Sequence, residues 1–217
     1  MDHQHESSES HNTAEWWDEA WASSDHATPE PDGILLAEVR GLHPGRALDI
    51  GCGEGANAVW LAEQGWRVTA VDFAESGIRR GRELAAERGV EVDFLVADAG
   101  SYQSDDRFDL IILFYIQLAA EARLKVLATA ARALAPGGLL LFAGHDRSDP
   151  PHEWKDEDRA TLTTPEQVAS ELPGLTILRA AVVSHEAGAH TASLQHESEG
   201  EHGSHGATTL VLAVQPG

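Results

Sequence analysis

The sequence predicts an α/β protein with a mostly parallel sheet that is covered by helices on both faces. Short apolar runs alternate with segments of helical periodicity, and runs that are apolar on both faces are typical of strands buried between two helical layers. The last two runs follow one another without a helix between them. We expect this closing pair to be antiparallel, because a parallel crossover usually needs a connection of helical size.

The strand and helix signals follow one another in a regular order. A glycine cluster ends the first apolar run and begins a helical pattern, and apolar residues spaced by three and four positions mark a later helix face from Leu124 to Leu134. The predicted strands cover residues 47–50, 66–71, 92–96, 108–115, 139–143, 175–184 and 207–214. The predicted helices are one that ends at residue 62, two at residues 74–88 and 121–134, and a short one that Thr164 caps and Pro165 begins.

Two segments are too polar to pack against this framework. Residues 1–13 carry three histidines among Ser, Glu and Asp and are predicted to be a disordered tail. Residues 185–206 carry five histidines between the last two strands and are predicted to be a mobile loop that overhangs the ligand edge of the sheet. A weak metal site or a lid over the substrate is the alternative for this loop. Residues 14–217, loop included, fit a single domain.

The charge balance excludes several classes of partner. Acidic residues outnumber basic residues by 36 to 15, which gives a net charge of −21 with histidine neutral. Such a surface repels phosphate backbones and anionic membranes, so we expect neither nucleic acid nor membrane as a partner. The single cysteine excludes a disulfide framework and a Cys-rich metal site within one chain. With no signal peptide pattern and no apolar run near the roughly 20 residues of a membrane span, a soluble cytoplasmic protein is expected.

The sharpest motif is the glycine turn between the first strand and the first long helix. Its glycines at Gly51 and Gly53 let the backbone approach a ligand where any side chain would collide. Read as GxGxxG/A with Ala56, the turn also suits a nicotinamide cofactor. Asp49, two residues before the first glycine, favours a ligand amino group or water there and disfavours a pyrophosphate.

Two further acidic residues end the next two strands. Asp72 can accept hydrogen bonds from both hydroxyls of a ribose, and Asp98 can accept one from an adenine amine. Phe73 offers an apolar surface for the base. The alternative is that Asp72 and Asp98 cap the helices that follow them. Three acidic strand ends beside a glycine turn favour a ligand site.

These motifs resemble those of the class I S-adenosylmethionine-dependent methyltransferases. The matching segments are DIGCGEG at 49–55, VTAVDFA at 68–74, VADA at 96–99, FDLIILFYIQL at 108–118 and LAPGGLLLF at 134–142. The resemblance implies a Rossmann-like sheet of seven strands with an antiparallel last strand, S-adenosylmethionine as cofactor, and methyl transfer by in-line displacement. The short chain and the segment EWWDEAW resemble the tellurite-resistance and thiopurine groups, which implies a small-molecule acceptor.

The resemblance also implies where the cofactor binds. Its methionine part would lie over the glycine turn, its ribose at the end of the second strand and its adenine beside the third. The implied cofactor-binding residues are Asp49, Gly51, Cys52, Gly53, Asp72, Phe73, Asp98, Ala99 and Phe114.

Catalytic candidates follow the carboxyl ends of the fourth and fifth strands, where open α/β sheets bind their ligands. They are Tyr115, His145 and Asp146. In this hypothesis His145 accepts a proton, and Asp146 orients the ring of His145. The alternative for His145 is a loop histidine with one backbone hydrogen bond. The tryptophans Trp16, Trp17 and Trp21 are expected to pack on the sheet, or else to form a lid over the cofactor.

Two other functions remain compatible with parts of the sequence. The histidines of residues 185–206 suit a nonenzymatic metal-binding protein built on a methyltransferase scaffold. The glycine turn suits a nicotinamide-dependent oxidoreductase, which Asp49 and the antiparallel closing pair both disfavour. The sequence indicates no particular oligomeric state.

Overall fold

The computed structural model describes residues 13–23, 28–151, 154, 156–184 and 206–217. The helices are α1 (Ala14–Ser23), α2 (Gly33–Glu38), α3 (Ala56–Glu63), α4 (Glu75–Arg88), α5 (Ala120–Ala133), α6 (Asp156–Arg159) and α7 (Pro165–Ser170). The strands are β1 (Arg46–Ile50), β2 (Arg67–Asp72), β3 (Val92–Val96), β4 (Phe108–Phe114), β5 (Leu134–His145), β6 (Thr176–Ser184) and β7 (Ala207–Val214).

The strands form one seven-stranded sheet in the order β3-β2-β1-β4-β5-β7-β6. Strand β1 pairs in parallel with both β2 and β4, so the order of the strands reverses on either side of β1. Strand β7 pairs antiparallel with both β5 and β6, which leaves β6 parallel to the first five strands. The predicted fold class and the predicted antiparallel closing pair are therefore confirmed.

The two faces of the sheet are buried under separate layers of side chains. In β1, Ala47 points into one hydrophobic cluster and Leu48 into the other, and Leu110 and Ile111 of β4 alternate in the same way. All four are at most 1% exposed. Burying a side chain of the size of leucine contributes about 1.5–3 kcal/mol. The central strands are thus fixed from both sides, and their carboxyl ends form a rigid edge.

Strand β5 begins at Leu134 rather than at residue 139, so the predicted break between the helix that ends at residue 134 and this strand, which contains Pro136, Gly137 and Gly138, is wrong. Leu134 already pairs with Phe108 of β4. On the other side, the amide of Gly137 donates to the carbonyl of Gln215 and the amide of Gln215 donates to the carbonyl of Gly138, each at 2.9 Å. These partners keep the backbone in the sheet through the break.

Two of the helices begin directly after a residue whose side chain caps them. Thr164 accepts a hydrogen bond from the amide of Gln167 at 3.2 Å, and Pro165 occupies the first turn, which confirms the predicted cap of α7. Helix α2 was not predicted from the sequence. Its cap is Asp32, which accepts from the amide of Ile34 at 2.7 Å. Six residues are too few to display a helical period, and the cap of α2 lacks the proline that marks the first turn of α7.

Candidate functional site

A cavity of about 200 Å³ lies at the carboxyl ends of the parallel strands, where the strand order reverses beside β1. Open α/β sheets bind their ligands at this position. Its wall contains the glycine turn after β1, residues that follow β2, β3 and β4, His145 at the end of β5, and two tryptophans of α1. Every cofactor-binding residue predicted from the sequence lies in this wall, and so do Tyr115 and His145.

The glycine turn presents bare backbone to the cavity. Gly51 has φ 72° and Gly53 has φ 52°, both in the left-handed region that favours glycine. A Cβ atom added to Gly51 would lie 2.3 Å from the side chain of Ile116, and one added to Gly53 would lie 3.1 Å from the ring of Trp21. The amides of Gly51 and Cys52 both donate to the carbonyl of Val71, which holds the turn against β2.

Asp49 is the most unusual group in the wall. Its side chain is 1% exposed, and its Oδ2 atom has no hydrogen-bond partner within the part of the chain that the structure describes. Burial, and secondarily the charge of Asp72, raise the pKa of Asp49 from its ordinary value of 3.8 to about 8. A buried oxygen without a donor is costly. A cationic donor placed in the cavity would satisfy this oxygen and favour its ionised form.

Asp72 holds two parts of the site together. Its Oδ2 accepts a hydrogen bond from the amide of Gly53, and its Oδ1 accepts one from the amide of Ala74, each at 2.9 Å. The second bond lies at the start of α4, so the alternative role as a helix cap is present. Each carboxylate oxygen can accept more than one hydrogen bond, so both oxygens retain capacity for ligand hydroxyls.

The other residues predicted beside the third strand are arranged more openly. Asp98 is exposed, and its Oδ1 accepts from the amide of Ser101 at 2.9 Å. Phe73 and Ala99 are half-buried, and Phe114 at the end of β4 is 8% exposed. Cys52 is half-buried, and burial raises the pKa of its thiol, which keeps the sulfur neutral.

Replacing Asp72 tests the assignment of the ribose. In Asp72→Asn, one acceptor oxygen is lost and the charge is removed, so we expect S-adenosylhomocysteine to bind about 10- to 100-fold more weakly, because a hydrogen bond to a charged group contributes about 1.5–3 kcal/mol. Isothermal titration measures this change. Circular dichroism and the melting temperature serve as the control for folding, since Asp72 also holds the amides of Gly53 and Ala74. Unchanged affinity in a folded variant would remove Asp72 from the binding site.

Tyr115 is held in an uncommon backbone conformation directly after β4. It is the one non-glycine residue with positive φ, at 52°, among the residues described. Its amide donates to the carbonyl of Ala143 at 2.8 Å, and its hydroxyl lies 3.2 Å from that of Thr208. Burial, and secondarily the charge of Asp32, raise the pKa of Tyr115, so the phenol stays protonated. Such strain in a bulky residue is found mainly at functional sites.

His145 and Asp146 are placed differently from one another. The ring of His145 lies 5.1 Å from the ring of Tyr115 and 4.7 Å from that of Trp154, measured between centroids. Asp146 is 1% exposed and lies outside the cavity wall. It accepts from the amide and hydroxyl of Ser148 and, at 2.6 Å, from the hydroxyl of Thr209. The Asp146 carboxylate therefore binds residues next to it in the chain and on β7, and its expected role of orienting His145 stays a prediction.

Helix α1 forms part of the cavity wall. It packs against α4, where Asp18 accepts from the amide of Ser76 at 2.7 Å and Arg80 donates to the carbonyl of Trp21 at 2.9 Å. Trp17 and Trp21 line the cavity with their rings stacked at 5.7 Å. Helix α1 thus packs on α4, whereas we expected its tryptophans to pack on the sheet. The rings of Trp17 and Trp21 line the cavity, which is the position expected of a lid over the cofactor.

Several residues of the cavity wall were not predicted from the sequence to belong to the site. Asp32 and Asn57 meet there because the side chain of Asn57 accepts a hydrogen bond from the amide of Asp32 at 2.9 Å. Glu30, Ile116 and Leu118 also line the cavity. Only the capping position of Asp32 before a short helix is a readable feature, and caps are too common to indicate a site.

The two histidine-rich segments predicted from the sequence lie almost entirely outside the described residues. Within the described ranges, no group of three His, Cys, Asp or Glu side chains is arranged to hold a metal ion. In the same ranges, no helix combines the length and the apolar character that a bilayer crossing requires.

Comparison with known proteins identifies a family match and several relatives. Residues 47–138 match the family described as a methyltransferase domain. The 2-heptyl-1-hydroxyquinolin-4(1H)-one methyltransferase of Mycobacteroides abscessus is 37% identical over 125 residues, which are 55% of this chain and 54% of the relative. The ribosomal RNA small subunit methyltransferase C of Alcanivorax borkumensis is 30% identical over 159 residues, 70% of this chain and 47% of the relative. The chain spans about half the length of these curated relatives.

Two solved structures share the fold. The N-methyltransferase NodS from Bradyrhizobium japonicum, in complex with S-adenosyl-L-homocysteine, superposes with a TM-score of 0.70 at 19% identity, covering 95% of this chain and all of that one. TehB from Haemophilus influenzae superposes with a TM-score of 0.67 at 15% identity, covering 93% of this chain and 66% of that one. At these identities the likeness concerns the fold alone.

Proposed function

Since this chain belongs to the class I S-adenosylmethionine-dependent methyltransferases, we propose that it transfers a methyl group from S-adenosylmethionine to a small-molecule acceptor. The observation that carries the proposal is the buried Asp49, which belongs to the wall of a cavity lined by glycine backbone and whose Oδ2 lacks a partner among the described residues. An α-amino group is a donor of the kind this oxygen needs. The residues present therefore fit the cofactor of the family.

The residues that would hold the cofactor follow from this fit and from the family resemblance. We assign the methionine part to Asp49, Gly51, Cys52 and Gly53, with Phe114 beside it. We assign the ribose to Asp72, and the adenine to Phe73, Asp98 and Ala99. All of these residues line one continuous cavity, which supports the assignment.

The chemistry divides between the cofactor and the chain. When bound, S-adenosylmethionine supplies a methyl group on a sulfonium, which is already an activated leaving group. The chain then has to hold the acceptor nucleophile in line, and positioning of this kind supplies on the order of 7–11 kcal/mol. A base is needed only for an acceptor that arrives protonated.

We propose His145 as that base and Tyr115 as a positioning residue. The phenol of Tyr115 stays protonated, so it acts as a hydrogen-bond donor rather than a base. His145 lines the cavity beside it, and a neutral imidazole nitrogen can accept a proton. Asp146 is not proposed as the partner of His145, because its carboxylate binds Ser148 and Thr209 instead. We propose that Asp146 holds the end of β5 against β7.

The size and charge of the cavity support a small acceptor. About 200 Å³ with an acidic wall is unsuited to a phosphate backbone, and the net charge of −21 opposes nucleic acid at longer range. The relative that acts on a quinolone supports the same class. The relative named for ribosomal RNA makes RNA the alternative that an experiment has to exclude.

Two measurements test the proposal. Isothermal titration should show S-adenosylhomocysteine binding at micromolar affinity and NAD not binding. Incubation with methyl-labelled S-adenosylmethionine and a cell extract should then place the label in the small-molecule fraction. The absence of S-adenosylhomocysteine binding would overturn the function, and label found in RNA would overturn the acceptor class.

We propose that residues 14–217 belong to one methyltransferase domain. The tail predicted at residues 1–13 and the loop predicted at residues 185–206 lie almost entirely outside the described residues. Strands from both halves of the chain belong to one sheet, which supports the single domain. Ser184 and Ala207 pair directly across β6 and β7, at the same edge of the sheet as the carboxyl ends of the parallel strands.

A further inference from the structure

The cavity wall carries charge of one sign. Its six carboxylate residues are Glu30, Asp32, Asp49, Glu54, Asp72 and Asp98. No lysine or arginine stands beside them among the wall residues in the described ranges, where His145 is the single side chain that can become cationic. An acceptor with a phosphate or carboxylate would meet repulsion here, because like charges at a desolvated site cost several kcal/mol.

Several of these carboxylates have partners of their own on the cofactor side. Glu54 forms an ion pair with Arg80 at 2.6 Å, and Asp72 accepts from two backbone amides. Asp98 accepts from the amide of Ser101. These contacts belong to the glycine turn and the ends of β2 and β3, so they say little about the acceptor.

Another part of the wall combines one carboxylate, that of Asp32 at the start of α2, with the aromatic rings at the ends of β4 and β5; the Oδ1 of Asp32 accepts from the amide of Ile34. We call the wall residues Asp32, Phe114, Tyr115 and His145 the acceptor end. Asp32 is 6% exposed, and its charge is felt at the phenol of Tyr115. The ring centroids of Phe114 and Tyr115 are 6.3 Å apart, and those of Tyr115 and His145 are 5.1 Å apart. A buried carboxylate in one wall with these tilted and edge-on rings is an environment that attracts an organic cation.

We propose that the acceptor is an amine, which enters as an ammonium cation and binds at the acceptor end through Asp32 and the ring of Tyr115. This inference rests on the proposed methyltransferase function and specifies its acceptor class. The net charge of the chain favours the same class, because it attracts cations to the cavity from a distance.

The proton that the acceptor must lose can be taken up by a residue of the cavity wall. The ammonium gives one proton to the imidazole of His145, which leaves a neutral amine. The lone pair of that nitrogen forms the new bond to carbon, while the electron pair of the broken sulfur–carbon bond goes to the leaving sulfur. A neutral hydroxyl acceptor would have no use for the charge of Asp32, so the two classes differ in their dependence on this residue.

Three probes of similar shape and different charge separate the classes. Benzylammonium, benzyl alcohol and benzoate are added separately to protein saturated with S-adenosylhomocysteine, and their dissociation constants are measured by ligand-observed NMR. We expect benzylammonium to bind on the order of tenfold more tightly than the other two. Added salt should weaken only benzylammonium binding.

The variant Asp32→Asn should remove most of this preference. Asparagine caps helices as well as aspartate does, so α2 should persist. The matched control is Asp93→Asn, which removes one exposed carboxylate on β3 outside the wall and should leave the preference unchanged.

Equal binding of the three probes, tighter binding of benzoate, binding of none, or an unchanged preference in folded Asp32→Asn would each overturn the amine assignment. Failure of the parent protein to bind S-adenosylhomocysteine would instead count against the methyltransferase function, so the two failures are distinguishable.

Discussion

The variant Gly53→Val should lose S-adenosylhomocysteine binding by at least a hundredfold while the sheet remains folded. Gly53 has φ 52°, and a Cβ atom there would lie 3.1 Å from the ring of Trp21 at the cavity wall. Valine adds two further methyl groups, which would enter the space proposed for the methionine part of the cofactor. Both the backbone strain and the lost space oppose binding. Isothermal titration measures the affinity, and circular dichroism reports the fold.

A valine at a second glycine distinguishes the effect of backbone strain from the effect of occupying the space proposed for the cofactor. Gly89 has φ 69° at the end of α4, and a Cβ atom there would meet nothing within 4 Å. Gly89→Val therefore carries similar backbone strain away from the cavity, and it should destabilise the fold without changing the affinity for S-adenosylhomocysteine. If Gly53→Val bound as well as Gly89→Val does, the glycine turn would not be the cofactor cradle.

Cofactor affinity should rise with pH, and Asp49 should be the cause. With a pKa of about 8, Asp49 is mostly protonated at pH 6 in the free protein. A bound ammonium group favours the carboxylate, so binding releases a proton. The affinity for S-adenosylhomocysteine should then increase by up to about tenfold per pH unit between pH 6 and 7.5. Titration in two buffers of different ionisation enthalpy measures the proton released.

The stability of the free protein should depend on the same group with the opposite sign. Because the pKa of Asp49 is raised by folding, the folded state binds this proton more tightly than the unfolded chain does. The contribution of Asp49 is therefore most favourable below about pH 4, and it declines as the pH rises to about 8.

Asp49→Asn should flatten both pH profiles, since asparagine does not titrate. Asp93→Asn, which removes an exposed carboxylate on β3, serves as the control that retains them. A parent protein whose affinity is constant between pH 6 and 7.5, with no proton released, would contradict the role of Asp49.

Local patterns were sufficient for most of the secondary structure. The alternation of apolar runs and helical periods placed β1 to β4 and α4 within about two residues of their observed bounds. The cap at Thr164 was readable because a capping side chain acts on a residue three positions away. The start of β5 was not readable, because the partners that hold it, Phe108 and Gln215, are distant in sequence.

The residues of the candidate site also include some that local sequence patterns predicted and some that they did not. Asp49, Gly51, Gly53, Asp72 and Asp98 were predictable because each lies within three residues of the carboxyl end of a parallel strand, and such positions converge at one edge of the sheet. Asp32 and the rings of α1 reach the cavity through tertiary contacts, such as the bond between Asp32 and Asn57. The spacing of these residues along the chain does not predict that they meet at the cavity.

By itself, the sequence determined the sheet class, the antiparallel closing pair, the glycine turn and the acidic strand ends, because periodicity and turn chemistry act over a few neighbouring residues. Only the tertiary structure decided that the carboxylate of Asp146 turns to Ser148 and Thr209, and that α1 packs on α4 with two tryptophans over the cavity. It also decided that Asp49 is buried with an oxygen unpartnered among the described residues. Burial and the direction of a side chain depend on what the rest of the chain packs around it, and that is settled only when distant segments meet.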